Sequence, residues 1–374
     1  MQFERIIKPQ IEEKFSKGKA IILVGPRQVG KTTLLQEILK NKDFLFLNGD
    51  DPTVRQLLKE PNTKEIQNII GKKNYIFIDE AQRIENVGLT SKIITDLFPN
   101  VQLLLSGSSA FDLNNQINEP LTGRKWEFQL FPISWAEMEN TVGYLEARQQ
   151  LNLRLIYGMY PEVLTSIGSE KEVLKELVSS YLYKDVLALS GIRKAEVLDK
   201  LLRALAFQVG SEVSYNELAQ LVGIDKNTIS NYIDLLCKAY VVFKLPSFSK
   251  NLRNEIKTNQ KIFFYDNGVR NAIIGNLNFL ESRADKGALW ENFLMAERLK
   301  VLRYTKSEAR MYFWRTIRQQ EIDYVEENAE EIKGFEFKFN PKAKTKIPKL
   351  FGETYKTTVK VVNTENFSEF VGMG

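Results

Sequence analysis

The chain of 374 residues contains no histidine and one cysteine, Cys237. Without histidine there is no Ser-His-Asp or Cys-His nucleophile system, no histidine-ligated zinc and no histidine general base. A single cysteine excludes a disulfide framework and a cysteine zinc cluster. No apolar run approaches the roughly 18 residues of a membrane span; Ala20–Val24 and Val101–Leu105 are strand-sized. The opening residues Met1-Gln2-Phe3-Glu4-Arg5 lack the basic-then-apolar pattern of a secretory signal. The expectation is a cytoplasmic protein whose chemistry runs on carboxylates, lysine, arginine, hydroxyls, backbone amides and hard cations such as Mg²⁺.

Charge is close to balance: 52 Lys and Arg against 47 Asp and Glu, a net +5. That permits a nucleic-acid partner without arguing for one. Apolar residues at 43% and charged residues at 26% exclude wholesale disorder and a fibre. A single core rarely grows beyond about 250–300 residues, so more than one domain is expected.

From residue 20 short apolar runs alternate with helical stretches. Ala20–Val24, Phe44–Leu47, Tyr75–Asp79, Val101–Leu105 and Lys125–Leu130 read as strands of a buried parallel sheet. Helical periodicity follows at Leu145–Tyr157, Lys171–Leu189 and Ala195–Val209. Then come helix Ser214–Leu221, a turn at Gly223, helix Lys226–Ala239 and strands Tyr240–Leu245 and Lys261–Tyr265, the order of a winged helix-turn-helix. The last part opens with helix Gly287–Leu302 and continues with strands near Met311–Arg315, Glu321–Val325 and Gly334–Phe339. The expected division is 1–142, 143–195, 196–281 and 282–374.

Gly25-Pro26-Arg27-Gln28-Val29-Gly30-Lys31-Thr32 satisfies G-x-x-x-x-G-K-[ST], with Thr33 continuing into an apolar-periodic helix. Glycine lets the backbone bend so that successive N–H groups face phosphate oxygens, and the helix N-terminus adds a positive dipole. Lys31 then suits the β- and γ-phosphates and Thr32 suits Mg²⁺. The strand Tyr75–Asp79 ends in Asp79-Glu80. Asp79 is a candidate for the metal and Glu80 for polarising an attacking water. Ser106-Gly107-Ser108-Ser109 supplies hydroxyls that either sense the terminal phosphate or make a plain turn.

Gly25–Thr32, Ile78-Asp79-Glu80, Ser106–Ser109 and Leu121-Thr122-Gly123-Arg124 follow one another as in AAA-type P-loop ATPases. With Tyr160-Pro161-Glu162, Phe264-Tyr265-Asp266-Asn267-Gly268 and Trp290-Glu291-Asn292-Phe293, the chain resembles a prokaryotic family that joins such a module to a winged helix and a restriction-endonuclease-like domain. The fold class implied is α/β: a P-loop NTPase with a parallel sheet, a helical lid, a winged helix-turn-helix and an α/β nuclease-like C-terminal domain. The resemblance implies ATP rather than GTP. It also places Arg124 as an arginine finger facing a neighbour's nucleotide in a homo-oligomer; otherwise Arg124 is an ordinary surface arginine.

Lys226, Asn227, Thr228, Ser230 and Asn231 would open a recognition helix, with Lys244, Lys250, Arg253 and Lys257 along a DNA backbone. The alternative is a winged helix used only for packing or protein contact. Glu291, Asp323, Glu336 and Lys338 stand in the order of a PD-(D/E)xK nuclease, in which carboxylates hold Mg²⁺ and lysine orients water. Glu and Lys also alternate on the solvent face of many strands. Lys342, Lys344, Lys346, Lys349, Lys356 and Lys360 would follow a phosphate backbone or make a solvated edge. Three functions remain open: an ATPase switch coupled to DNA or partner binding, an ATP-gated nuclease, and a non-enzymatic ATP-binding regulator.

Overall fold

The computed structural model describes residues 2–108, 120–182, 195–249, 260–329 and 331–373. They divide into two compact units, Met1–Ile133 with Lys238–Tyr240 and Ser134–Cys237 with Val241–Gly374.

The first unit is built on five parallel strands: β1 (Ala20–Val24), β2 (Phe44–Asn48), β3 (Tyr75–Asp79), β4 (Gln102–Gly107) and β5 (Lys125–Gln129), in the order β2-β3-β4-β1-β5. β1 is buried at every position, so both faces of the sheet are covered there. Such a strand reads as a continuous apolar run, which is why it was visible in the sequence. β2 lies at an edge and is only partly buried. Because all five strands run the same way, the turns leaving β1, β3 and β4 emerge at one end of the sheet. That end is where ligands sit in open parallel sheets.

The second unit starts with helix Trp135–Val142. Its N-terminus is closed by a reciprocal pair: the Ser134 hydroxyl accepts from Glu137 N–H and the Glu137 carboxylate accepts from Ser134 N–H. The helix expected over 145–157 is interrupted at Gln150 and becomes Tyr144–Gln149 and Leu151–Tyr157. No glycine or proline marks that break. The helix expected over 171–189 is regular over Glu170–Glu176 and widens into π-type turns over Leu177–Leu182; its remainder falls outside the described residues.

Helix Ala195–Phe207, β6 (Glu212–Val213), helices Tyr215–Val222 and Lys226–Lys238, and strands β7 (Val242–Pro246) and β8 (Gln260–Phe264) follow. These strands form an antiparallel sheet in the order β6-β8-β7. Gly223, at φ +81°, takes the left-handed conformation that ends the first helix of the pair. After helices Asn267–Ile273 and Lys286–Tyr304, strands β9 (Arg310–Arg315), β10 (Glu321–Glu327), β11 (Ile332–Phe337) and β12 (Val359–Val362) form a sheet in the order β12-β11-β10-β9. Phe335 and Phe337 share a face and stack on Tyr324, with centroids 5.6 and 6.2 Å away. β11 ends at Phe337, so Lys338 and Phe339 lie just beyond it; Phe339 meets Trp290 edge-on.

The short tags Phe264–Gly268 and Trp290–Phe293 form a buried polar joint. Asn292 Oδ1 accepts from Phe264 N–H at 2.7 Å and its amide donates to Phe264 O at 3.1 Å. Asn267 donates to Leu289 O, and Asn271 donates to Leu155 O and Ile156 O. Asp266 is fully buried and accepts from Met159 N–H and Val269 N–H. A Cβ on Gly268 would overlap the Tyr157 carbonyl oxygen. These side chains stand in for missing strand and helix neighbours, satisfying backbone groups that would otherwise be buried unpaired.

Candidate functional site

The Gly25–Thr32 loop leaves β1 and enters helix Lys31–Leu39. Two glycines make the bend. A Cβ on Gly25 would overlap Leu130 O, and Gly30 caps the helix at φ +91°. Gln28 also takes a left-handed conformation, at φ +60°. Lys31 is buried, and its ammonium donates to Gly25 O at 2.9 Å and Pro26 O at 2.7 Å. The loop is thus curled around its own lysine, with the helix N-terminus opening beside it.

β3 brings its two acids to the same end of the sheet. Thr32 Oγ donates to Asp79 Oδ2 at 2.8 Å, and the Ser106 hydroxyl donates to Asp79 Oδ1. The structure therefore joins two sequence-read hydroxyls, Thr32 and Ser106, to one buried carboxylate. Glu80 sits in left-handed backbone at φ 48°, a conformation that non-glycine residues adopt at a cost and that clusters at functional sites. Its carboxylate accepts from Gln82 Nε2 at 2.7 Å, and Arg27 of the phosphate loop stands 3.9 Å from it. Gln82 also donates to Ser108 Oγ at 3.0 Å. Ser106 thus faces Asp79 and Ser108 faces Gln82; Ser109 lies outside the described residues.

The C-terminal residues read from sequence also converge. Glu291 comes from helix Lys286–Tyr304 and Asp323 from β10, while Glu336 and Lys338 flank the end of β11. Asp323 Oδ2 accepts from Phe337 N–H at 2.7 Å, and Lys338 donates to Glu336 Oε1 at 2.7 Å. Burial, opposed by Lys261 and reinforced by Asp323, pushes the Glu291 carboxyl up to about 7. Burial also raises Asp323, and burial together with Asp323 raises Glu336. Two further members were not read from sequence. Lys261 on β8 pairs with Glu291 at 3.0 Å and with Glu321 at 2.6 Å.

Three family models match in succession. Residues 17–139 match one described as an AAA domain, 148–279 a domain of unknown function (DUF8612), and 286–370 a domain of unknown function (DUF4143). Residues 17–139 are thus similar to AAA domains, and their parallel five-stranded sheet is that of a P-loop NTPase fold. The chain is 27% identical over 336 residues to the uncharacterized protein Rv2008c of Mycobacterium tuberculosis, covering 88% of this chain and 72% of that one. It is 26% identical over 346 residues to the uncharacterized protein MJ1544 of Methanocaldococcus jannaschii, covering 86% and 75%. Among solved structures, the Walker-type ATPase PABY2304 of Pyrococcus abyssi aligns with a TM-score of 0.50 at 16% identity, over 73% of this chain and 96% of that one. That likeness speaks to the fold.

In the first unit Arg124 precedes β5, which runs parallel to β1 with Lys125 level with Ala20. It therefore lies at the opposite end of the sheet from the phosphate loop and cannot serve its own loop. Its Nε pairs with Asp96 at 2.5 Å. Sequence reading missed Arg5. Its buried guanidinium donates to Val29 O in the phosphate loop at 2.7 Å and to Phe131 O at 2.6 Å. A lone arginine 24 positions away from Val29 leaves no local signal. Gln82 was also missed: it stands two residues after Glu80, but its second partner, Ser108, is 26 positions away.

In the second unit, Lys226, Asn227 and Asn231 are exposed along helix Lys226–Lys238. Asp225 closes that helix by accepting from Thr228 N–H at 2.9 Å. Lys244 pairs with Asp234 at 2.6 Å, so its charge is matched within the chain rather than presented along a surface. Lys250, Arg253 and Lys257 lie outside the described residues. The six lysines from Lys342 to Lys360 are all exposed. No helix among the described residues is long and apolar enough to cross a membrane.

Proposed function

We propose that the chain is a Mg²⁺-dependent ATPase switch of AAA type that couples its nucleotide state to binding of DNA or a protein partner. The observation that carries this reading is the Thr32–Asp79 hydrogen bond beside the buried Lys31. It sets the hydroxyl, the carboxylate and the ammonium of a phosphate site at one end of a parallel sheet. The donor set fits the group: Gly25 through Thr33, with Lys31, would cradle the phosphates, and Thr32 and Asp79 would hold Mg²⁺. Bound there, Mg²⁺ would neutralise charge on the phosphates. Glu80, held by Gln82, would orient the attacking water. Lys31→Ala is expected to abolish nucleotide binding or turnover; a variant that binds and hydrolyses ATP like wild type refutes the site.

The division into ATPase module, helical lid (143–195), winged helix (196–281) and nuclease-like domain (282–374) belongs to the same proposal. The helix pair at 215–238 followed by the β7–β8 hairpin supports a winged helix, and its exposed Lys226, Asn227 and Asn231 suit phosphate and base-edge contacts. Arg124, remote from its own loop, suits a role in a homo-oligomer. Phosphate release on adding DNA separates the switch from a non-enzymatic ATP-binding regulator. An ATP-gated nuclease is the second reading, supported by the convergence of Glu291, Asp323, Glu336 and Lys338; it requires Mg²⁺ to enter that cluster, which the ion pairs of Lys261 oppose. Plasmid cleavage with Mg²⁺ and ATP, compared with Asp323→Ala and Glu336→Ala, tests it; equal cutting or none removes it.

A further inference from the structure

A divalent ion needs oxygen ligands that converge on one point, for Mg²⁺ at about 2.0–2.1 Å. Among the described residues no group of three acidic or cysteine side chains is arranged to hold one. At the C-terminal acids the reason is visible. Lys261 reaches in from β8, 3% exposed, and its ammonium lies 3.0 Å from Glu291 Oε1 and 2.6 Å from Glu321 Oε1. The Asp323 carboxylate also attracts it. Lys338 pairs with Glu336 at 2.7 Å.

The position of Lys261 is set by backbone. β8 is the central strand of its sheet, and Lys261 is in register with Glu212 on β6 and Leu245 on β7. Phe313 lies under its ammonium, with the ring centroid 5.4 Å away. Arg315 adds a second cation 3.6 Å from Glu321. Removing an ammonium from such a cluster strands buried carboxylates and is strongly destabilising. A metal ion arriving from solvent would have to displace the Lys261 ammonium.

We propose that Lys261 is the resident cation of this cluster: its ammonium takes the place a divalent ion would occupy, and the chain as folded is closed to Mg²⁺ and Mn²⁺ at Glu291, Asp323 and Glu336. The pattern E…D…ExK is then present in sequence and in space, while its charge is already balanced from a strand outside the pattern. This inference stands on the ion pairs and does not require the phosphate loop to bind nucleotide.

The test is Mn²⁺ binding to the full nucleotide-free chain, read as loss of the free-ion electron paramagnetic resonance signal. Wild type and Asp323→Asn are expected to bind Mn²⁺ equally. Lys261→Gln is expected to gain one site at least tenfold tighter than any in wild type, and Lys261→Gln/Asp323→Asn to lose it. Lys261→Arg, which keeps the cation, should behave as wild type. A wild-type site that Asp323→Asn removes overturns the proposal, as does a folded Lys261→Gln chain that gains no site. If Lys261→Gln does not fold by circular dichroism, the wild-type and Asp323→Asn comparison decides alone.

Discussion

The Thr32 hydroxyl donates to the Asp79 carboxylate across 2.8 Å, tying the first turn of the helix after the phosphate loop to the end of β3. In the proposed site both groups serve one metal ion. Thr32→Ala is expected to lower the Mg²⁺-dependent part of nucleotide affinity by about tenfold or more, the range for removing a group that supports a metal. Titration of a fluorescent ATP analogue with and without Mg²⁺ measures it; an unchanged Mg²⁺ effect refutes the assignment.

In the proposed site Glu80 would act on water rather than on the nucleotide. Glu80→Gln is expected to keep ATP affinity and to reduce turnover by about 10²–10⁴-fold. Single-turnover phosphate release gives the answer, and equal rates would leave Glu80 with its Gln82 contact alone.

Arg5 supports the phosphate loop from outside the motif. Arg5→Ala leaves two buried carbonyl oxygens without their donor, a loss of about 3 kcal/mol. The urea midpoint and ATP affinity should fall together. A variant with the wild-type midpoint would show that water replaces the guanidinium without penalty.

Arg124 separates two roles. If it completes a neighbour's site, Arg124→Ala reduces turnover by on the order of 10³-fold while ATP affinity is unchanged. If it only pairs with Asp96, turnover is unaffected and stability moves by about 0–1 kcal/mol.

Acid sensitivity resides in part at Asp285. Burial alone would raise its carboxyl, but hydrogen bonds from Arg283 and Arg270 outweigh that and hold it at about 2. A carboxyl lowered on folding stabilises the chain above its unfolded value near 3.8, and the contribution disappears as pH falls toward 2. The melting temperature of wild type should therefore exceed that of Asp285→Asn at pH 6, with the gap closing between about pH 4 and 2. A gap independent of pH would assign the effect to packing.

The sheet of the first unit was legible because its buried strands β1, β3 and β4 leave continuous apolar runs. The phosphate loop and the strand-end acids were legible because their chemistry is local. Distance in sequence hid the rest. Arg5 and Lys261 act on groups that the fold alone brings near, as Gln82 does on Ser108. The break at Gln150 carries no glycine or proline, so periodicity ran straight through it. Lys244 read as a free basic residue because its partner Asp234 is one helix away. The Asn267 and Asn292 tags were noticed as marks of resemblance, and the structure shows them as buried packing.

Asn267 is followed by Gly268, a pair in which the following backbone nitrogen can readily attack the side-chain amide and release ammonia. In the folded chain that amide is buried and donates to Leu289 O. A chain held unfolded while warm would age at this bond, and once water opened the cyclic imide it would return with aspartate or isoaspartate, neither of which can donate there. Time spent unfolded would then decide how much of a preparation can rebuild the joint.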